Sequence, residues 1–265
     1  MPLSKPAPSH VLSQFSLKGK TALVTGGSRG IGLEVVTGLA EAGANVAFTY
    51  STTSAIESDA LASKIASATG VTIKAYKSDV RDAKAISETL AQVVNDFGAL
   101  EVVVANAGIA THIPALDYTP EQFSEIMRVN LDGAFYTAQA AGKIFEKQGH
   151  GNIIFTASVS AILVNVPQKQ MAYNASKAAV VQMARCLAVE WVDFARVNCV
   201  SPGFIATDML SVHPEEWRAQ WFSMIPAARL CDPCELKGAY VFLASNASSY
   251  MTGANMVIDG AYTLP

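Results

Sequence analysis

Short apolar segments alternate with longer helical ones along almost the whole chain, and this alternation limits the fold more than any single motif. Thr21-Ala-Leu-Val-Thr25 reads as a buried strand ended by glycines, and residues 31–42 as the helix after it, closed by Gly43. The pattern continues with a strand at 45–50, a helix at 55–68, a strand at 71–77 and a helix at 83–97 that stops at Gly98. A strand at 100–105 follows, then a long helix within 120–146, a strand at 151–157 and a helix running on from Tyr173. Strand 196–200, helix 233–245 and strand 255–258 complete the series. The strands have no clean period-two alternation and are separated by helices, which predicts a parallel sheet buried on both faces. One doubly wound α/β domain of about seven strands is expected over 17–265, after an N-terminal arm at 1–16.

The 265 residues suffice for one large domain with a well-buried core. With 51% apolar and 15% charged residues the chain is compact rather than disordered. A formal charge of -3 gives no reason to expect nucleic acid or an anionic membrane as partner. No uninterrupted apolar run reaches the ~18 residues of a membrane span, and the polar Pro/Ser stretch 1–14 lacks the apolar core of a secretory signal. Cys186, Cys199, Cys231 and Cys234 suggest reduced thiols in a cytoplasmic protein. Cys231-Asp-Pro-Cys234 has redox or zinc spacing, yet no second Cys or His pair sits at metal spacing. Its Asp-Pro reads as a turn or helix start, so no metal is expected.

Ligands of doubly wound folds bind beyond the carboxyl ends of the strands, where strand order reverses. The first strand runs into Gly26-Gly27-Ser28-Arg29-Gly30-Ile31-Gly32, a turn whose glycines bring the backbone close to a pyrophosphate at a helix N-terminus. Its spacing is G-x-x-x-G-x-G, not the commoner G-x-G-x-x-G. The second strand ends Phe48-Thr49-Tyr50-Ser51-Thr52-Thr53, without the acid that accepts from a ribose 2′-OH in NAD sites. Tyr50 and Ser51 can donate to a 2′-phosphate, and Arg29 either supplies the countercharge or faces solvent. NADP(H) is therefore the expected cofactor. Asp79-Val80 closes the third strand, where the acid accepts from an adenine amino group or caps the next helix. Asn106-Ala107-Gly108 ends the fourth strand, small enough for close approach to a ribose or simply a turn.

Tyr173 and Lys177 are four residues apart on a predicted helix and share a face. A fixed cation beside a phenol favours the phenolate and lowers the pKa from ~10, which suits proton exchange with an alcohol or ketone. The plain alternative is a flanking Tyr and a Lys in water.

Taken in order, Thr25-Gly26-x-x-x-Gly30-x-Gly32, Asn106-Ala107-Gly108, Asn130, Ser158, Tyr173-x-x-x-Lys177 and Pro202-Gly203 resemble the short-chain dehydrogenase/reductase family over nearly everything from Leu17 to Tyr262. That resemblance implies one Rossmann-type domain, usually a tetramer, moving hydride between a nicotinamide and a carbonyl or alcohol. It makes Tyr173 the general acid/base, and has Lys177 lower its pKa and hold the nicotinamide ribose. Ser158 would hydrogen-bond the substrate oxygen, and Asn130, inside a helix, would hold a water leading to Lys177. Gly203, Ile205 and Thr207 after Pro202 would line the nicotinamide, with Thr207 on the carboxamide or capping a short helix. Ser160 competes with Ser158, because the spacing to Tyr173 is longer than usual. Ser158 is preferred, as it directly follows its strand.

The wording Asn174-Ala-Ser-Lys177, Asn165-Val-Pro-Gln168 and the stretch 191–203 is similar to the family branch of fungal NADP-dependent mannitol dehydrogenases and sorbose or xylulose reductases. It implies a ketose or polyol substrate, with His112 and Gln168 as candidate contacts for sugar hydroxyls. A lid at about 204–226 carries Met209, Leu210, His213, Trp217, Trp221, Phe222 and Met224, which also suits an aromatic or aliphatic ketone. A non-catalytic NADP-binding protein is the remaining alternative.

Overall fold

The alternation folds as seven parallel strands in a computed structural model that describes residues 9–211 and 214–264. The strands are β1 (Thr21–Val24), β2 (Asn45–Tyr50), β3 (Ile73–Lys77), β4 (Val102–Ala105), β5 (Asn152–Thr156), β6 (Arg196–Pro202) and β7 (Asn255–Ile258), in the order β3-β2-β1-β4-β5-β6-β7. Every neighbouring pair is parallel, so all seven carboxyl ends lie along one edge.

Helices α1 (Gly30–Glu41), α2 (Ala55–Thr69), α3 (Ala83–Phe97), α4 (Pro120–Met127), α5 (Gly133–Gln148) and α6 (Met171–Glu190) connect the strands, followed by α7 (Asp208–Ser211), α8 (Glu215–Met224) and α9 (Lys237–Ala244). Successive strand residues point to opposite faces. Leu23, Val103, Ile153 and Val197 join Leu90 of α3, Phe145 of α5 and Leu187 of α6 on one side. Ala22, Val46, Val104 and Ile154 join Leu39 of α1, Ile65 of α2 and Tyr240 of α9 on the other. Each fully buried Leu, Ile, Val or Phe contributes about 1.5–3 kcal/mol, so the two faces hold the layers more than helix propensity does. Local signals set the ends. Ser54 with Glu57 and Thr119 with Gln122 form capping boxes, Asp82 caps α3, and Gly70, Gly98 and Gly149 close their helices in the left-handed conformation.

Three predicted elements differ in detail. The helix expected within 120–146 is interrupted by a π turn, Arg128–Asp132, where the Gly133 N–H donates to the Arg128 carbonyl five residues back. The segment before α9 starts as a 3-10 turn, Pro233–Leu236, capped by Asp232. The arm ends in a regular turn: Val11–Phe15 is a 3-10 turn and Phe15 meets the Phe242 ring at 6.1 Å, while Leu17, where the domain begins, is fully buried. Residues 1–8 lie outside the described part. No helix among the described residues is long and apolar enough to cross a membrane.

Candidate active site

β1 lies between β2 and β4, so the chain leaves it to one side and later returns on the other. The crevice at that reversal is built by the glycine turn. Gly26 and Gly30 have φ of +65° and +54°, a region costly for residues with a Cβ. A Cβ on Gly32 would stand 2.2 Å from the Gly26 carbonyl oxygen and 2.6 Å from Asn106 Nδ2, which no side chain tolerates. Arg29, at the head of α1, gives no side-chain cap, so the first-turn N–H groups of the helix are left for an anion. A cradle that a Cβ would fill, facing an uncapped helix start, fits a pyrophosphate.

Beside it, the hydroxyls of Ser28 and Thr53 meet at 2.9 Å, and Arg29 and Ser51 are exposed. With no acid between Phe48 and Ser54, this corner fits a 2′-phosphate. Tyr50 lies at the carboxyl end of β2, next to this corner. Its ring is buried with Val46 and Phe48 in the core beside α1 and α2, leaving its carbonyl to accept from the Ser78 N–H at 2.9 Å.

Asp79 does not cap α3; Asp82 does. The Asp79 carboxylate is gripped by the Arg81 guanidinium at 2.6 Å, and this contact holds it below the usual carboxylate range. Val80 is buried against Gly133 of α5. Asn106 also turns inward: its amide donates to the carbonyls of Thr25 at 3.0 Å and Gly26 at 3.3 Å. Thr25 Oγ1 accepts in return from the N–H groups of Asn106 and Ala107. Asn106 therefore ties the ends of β1 and β4 together and shapes the crevice.

A Cβ on Gly108 would lie 3.4 Å from Asn130 Oδ1 and 3.5 Å from Lys177 Nζ, so three expected site residues meet there. Asn130 is buried within the π turn. Its Oδ1 accepts from the Ile109 N–H at 2.9 Å, and its Nδ2 donates to the Ile109 carbonyl at 2.9 Å and to Ser176 Oγ at 3.0 Å. Lys177 is buried, its Nζ donating to the Thr156 carbonyl at 2.8 Å and lying 5.7 Å from the centre of the Tyr173 ring. Ser158 is buried just beyond the end of β5, and its hydroxyl lies beside the Tyr173 phenol. Ser160, the competing serine, points elsewhere and donates to Asn165 Oδ1 at 2.7 Å.

The expected lowering of the phenol by the lysine is not what this geometry produces. Burial pushes the Tyr173 phenol up and the Ser158 hydrogen bond acts downward, while burial pulls Lys177 down to about 8. Desolvation is the largest effect on both groups.

After β6 the chain folds back over the crevice. The Gly203 N–H donates to the Ile258 carbonyl at 2.9 Å, and a Cβ on Gly203 would come within 2.8 Å of the Asp259 Cα. Ile205 is buried and pairs with Cys231 as an isolated bridge. Thr207 faces the glycine turn, its Cγ2 placed 3.6 Å from where a Gly30 Cβ would stand. In the lid, Trp221 is buried, and its Nε1 donates to Gln168 Oε1 at 2.8 Å. Gln168 is therefore an anchor for the lid and not an open contact for a sugar hydroxyl. His112 packs edge-on against Trp217 at 5.9 Å. His213 and the Met209 side chain lie outside the described residues.

Cys231, just before the turn capped by Asp232, and Cys234, within it, are free thiols, and no metal-binding group of three or more His, Cys, Asp or Glu residues occurs among the described residues. Sequence reasoning missed the roles of Thr156 as the lysine acceptor and of Asn165, Gln170 and Asn174 behind Ser158. Only the density of amides in 165–174 hinted at the latter.

A family model described as enoyl-(acyl carrier protein) reductase matches residues 26–263. The chain is 47% identical to sorbose reductase of Schizosaccharomyces pombe, over 94% of this chain and 98% of that one. It is 44% identical to the NADP-dependent mannitol dehydrogenase of Hypocrea jecorina, over 99% of both. The crystal structure of an NADPH-dependent 3-quinuclidinone reductase from Rhodotorula rubra superposes with a TM-score of 0.94 at 40% identity, covering 99% of this chain and 98% of that one.

Proposed function

The chain belongs to the short-chain dehydrogenase/reductase family, and on that premise we propose that it is an NADPH-dependent ketose reductase, reversible as a polyol dehydrogenase. Fructose, giving mannitol, and sorbose are the substrates of first choice. The observation that carries this reading is full-length similarity to a sorbose reductase and a mannitol dehydrogenase in a chain whose Ser158, Tyr173, Lys177 and Asn130 converge beside the crevice.

NADPH, when bound, supplies the hydride for the carbonyl carbon. Gly26, Gly30, Ile31 and Gly32 hold its pyrophosphate, Ser28, Arg29 and Ser51 its 2′-phosphate, and Asp79 and Val80 flank the adenine. Asn106, Ala107 and Gly108 line a ribose, and Pro202, Gly203, Ile205 and Thr207 the nicotinamide. Tyr173 gives its proton to the substrate oxygen, while Ser158 donates to the same oxygen and steadies the charge that grows there. Lys177 stabilises the phenolate left behind and, with Tyr173, binds the nicotinamide ribose. Asn130 holds a water that returns a proton towards Lys177 and Tyr173.

Loss of NADPH absorbance with fructose, sorbose and xylulose, and its gain with mannitol and NADP+, test the proposal. Consumption only with aryl ketones or small diketones would replace it by the second reading, a reductase of aromatic or aliphatic ketones. The aromatic lid cluster of Phe204, Trp217 and Trp221 and the likeness to the quinuclidinone reductase favour that reading. No consumption with any ketone would leave a nucleotide-binding protein.

A homotetramer is proposed on the apolar side chains that α4, α5 and α6 leave exposed, Phe123, Phe135, Met171 and Val189; light scattering tests it. A cytoplasmic location is proposed on the four unpaired cysteines, with 1–16 as an arm before one domain at 17–265.

A further inference from the structure

The loop 162–170 between β5 and α6 carries polar side chains that turn inward. Ser160, Asn165 and Gln170 are all buried, and buried amides are costly unless paired. Asn165 Oδ1 accepts three donors: Ser160 Oγ at 2.7 Å, Gln170 Nε2 at 2.9 Å and Asn174 Nδ2 at 3.3 Å. Gln170 Nε2 also reaches Ser160 Oγ at 3.2 Å and Asn174 Oδ1 at 3.0 Å, and Asn174 Nδ2 donates to the Leu163 carbonyl at 3.0 Å. The Tyr262 phenol faces Asn165 from the other side.

This hub has two ends. On one, the Ser160 N–H donates to Ser158 Oγ at 3.1 Å, so Ser160, pinned by its hydroxyl to Asn165, helps set where the Ser158 hydroxyl sits. Gln170 stands at the N-cap of α6 and Asn174 directly follows Tyr173, so the same hub steadies the turn that presents the phenol. On the other end, the Tyr262 ring packs edge-on against Phe204 at 5.0 Å, and Phe204 stacks on Trp221 of α8 at 4.8 Å. A cover for the core could be made of apolar side chains; a fully paired polar hub instead specifies one arrangement.

We propose that Asn165 is a positioning residue: acting through Ser160, it sets where the Ser158 hydroxyl stands beside the Tyr173 phenol. The inference rests on the catalytic roles proposed above for Ser158 and Tyr173.

Asn165→Leu keeps the branching of the side chain and removes the amide. NADPH affinity and the KM for the ketose stay near wild type, turnover falls by about 10–10², as for a misplaced reacting group, and the isotope effect with 4-deuterated NADPH rises. Ser160→Ala removes one hydroxyl, leaves the peptide N–H on Ser158 and shows a smaller loss in the same direction; it decides the matter if the leucine variant does not fold. Ser158→Ala alone lowers turnover by about 10²–10³. Adding Asn165→Leu or Ser160→Ala to it changes little more, since no serine hydroxyl remains to align. A second substitution that multiplies the Ser158→Ala loss by its full factor would overturn the inference and leave the catalytic roles standing. Wild-type turnover in Ser158→Ala would overturn both. An Asn165→Leu enzyme that is heat-labile but fully active below its Tm would show a role in stability only, and would likewise end the proposal.

Discussion

The Lys177 ammonium is tethered to the Thr156 carbonyl at 2.8 Å while standing 5.7 Å from the centre of the Tyr173 ring. The carboxyl end of β5 thus serves both groups: its last residue, Thr156, holds the lysine, and Ser158, two residues on, stands beside the phenol. Burial puts Lys177 at about 8 and raises Tyr173, so in the free enzyme the phenol stays protonated through the neutral range. Ketone reduction, which uses that proton, is expected to hold level up to about pH 8 and to decline above it as Lys177 loses its charge. Polyol oxidation, which needs the phenolate, rises with pH. Profiles of kcat/KM in the two directions check this; a reduction profile unaltered by Lys177→Met would detach the lysine from the chemistry. Stability has its own sign. Between about 8 and the ordinary 10.5 the unfolded chain binds more protons at this lysine than the native one, so its contribution to stability rises with pH across that window. The rise is expected to vanish in Lys177→Met.

Removing only the phenol oxygen isolates the proton transfer. Tyr173→Phe is expected to keep NADPH binding and lose about 10²–10⁴ in turnover, as for a missing acid/base group. Cofactor fluorescence and steady-state kinetics separate the two. Unchanged turnover would take Tyr173 out of the mechanism.

Arg29 is exposed at the head of α1, close to the Ser28–Thr53 hydroxyl pair. Arg29→Ala is expected to raise the KM for NADPH far more than that for NADH, and to weaken the salt dependence of NADPH binding. Equal losses for both cofactors would mean that the arginine does not read the phosphate.

Gly32→Ala tests the crevice by sterics alone. The added methyl would overlap the Gly26 carbonyl at 2.2 Å, so the turn must shift, at about 1–3 kcal/mol of stability. Both Tm and NADPH affinity are expected to fall. A variant that binds NADPH normally would contradict the close approach of α1 to the turn.

Gln168→Leu removes the acceptor 2.8 Å from the Trp221 indole and is expected to cost about 1–3 kcal/mol locally. The lid loosens, so the ketose KM rises more than kcat falls, and limited proteolysis cuts sooner within 204–226. Wild-type KM and protease resistance would show that the aromatic cluster alone seats α8.

The strand–helix series, the helix ends and the glycine turn were legible in the chain because each rests on short-range chemistry: apolar runs, capping boxes and left-handed glycines. The burial of the Tyr50 ring was legible too. Val46, Phe48 and Tyr50 alternate onto one face of β2, so the ring had to follow the core. Other features depend on partners distant in sequence. Asn106 turns towards Thr25, Gln168 meets Trp221, and the Tyr173 phenol is raised by elements that bury it from several sides. The π turn left no trace, since a five-residue hydrogen bond at Arg128 calls for no special residue type.

That turn winds one surplus residue into an otherwise regular rod. Excising a single residue ahead of Asn130 would restore ordinary winding and leave the flanking α4 and α5 sequences intact, yet swing the Asn130 amide about 100° round the axis, away from Ile109 and Ser176. A descendant altered in that way would keep its fold and its nucleotide cradle while losing the place proposed for Asn130 behind Lys177. Loss of chemistry without loss of architecture therefore lies one codon away in this chain.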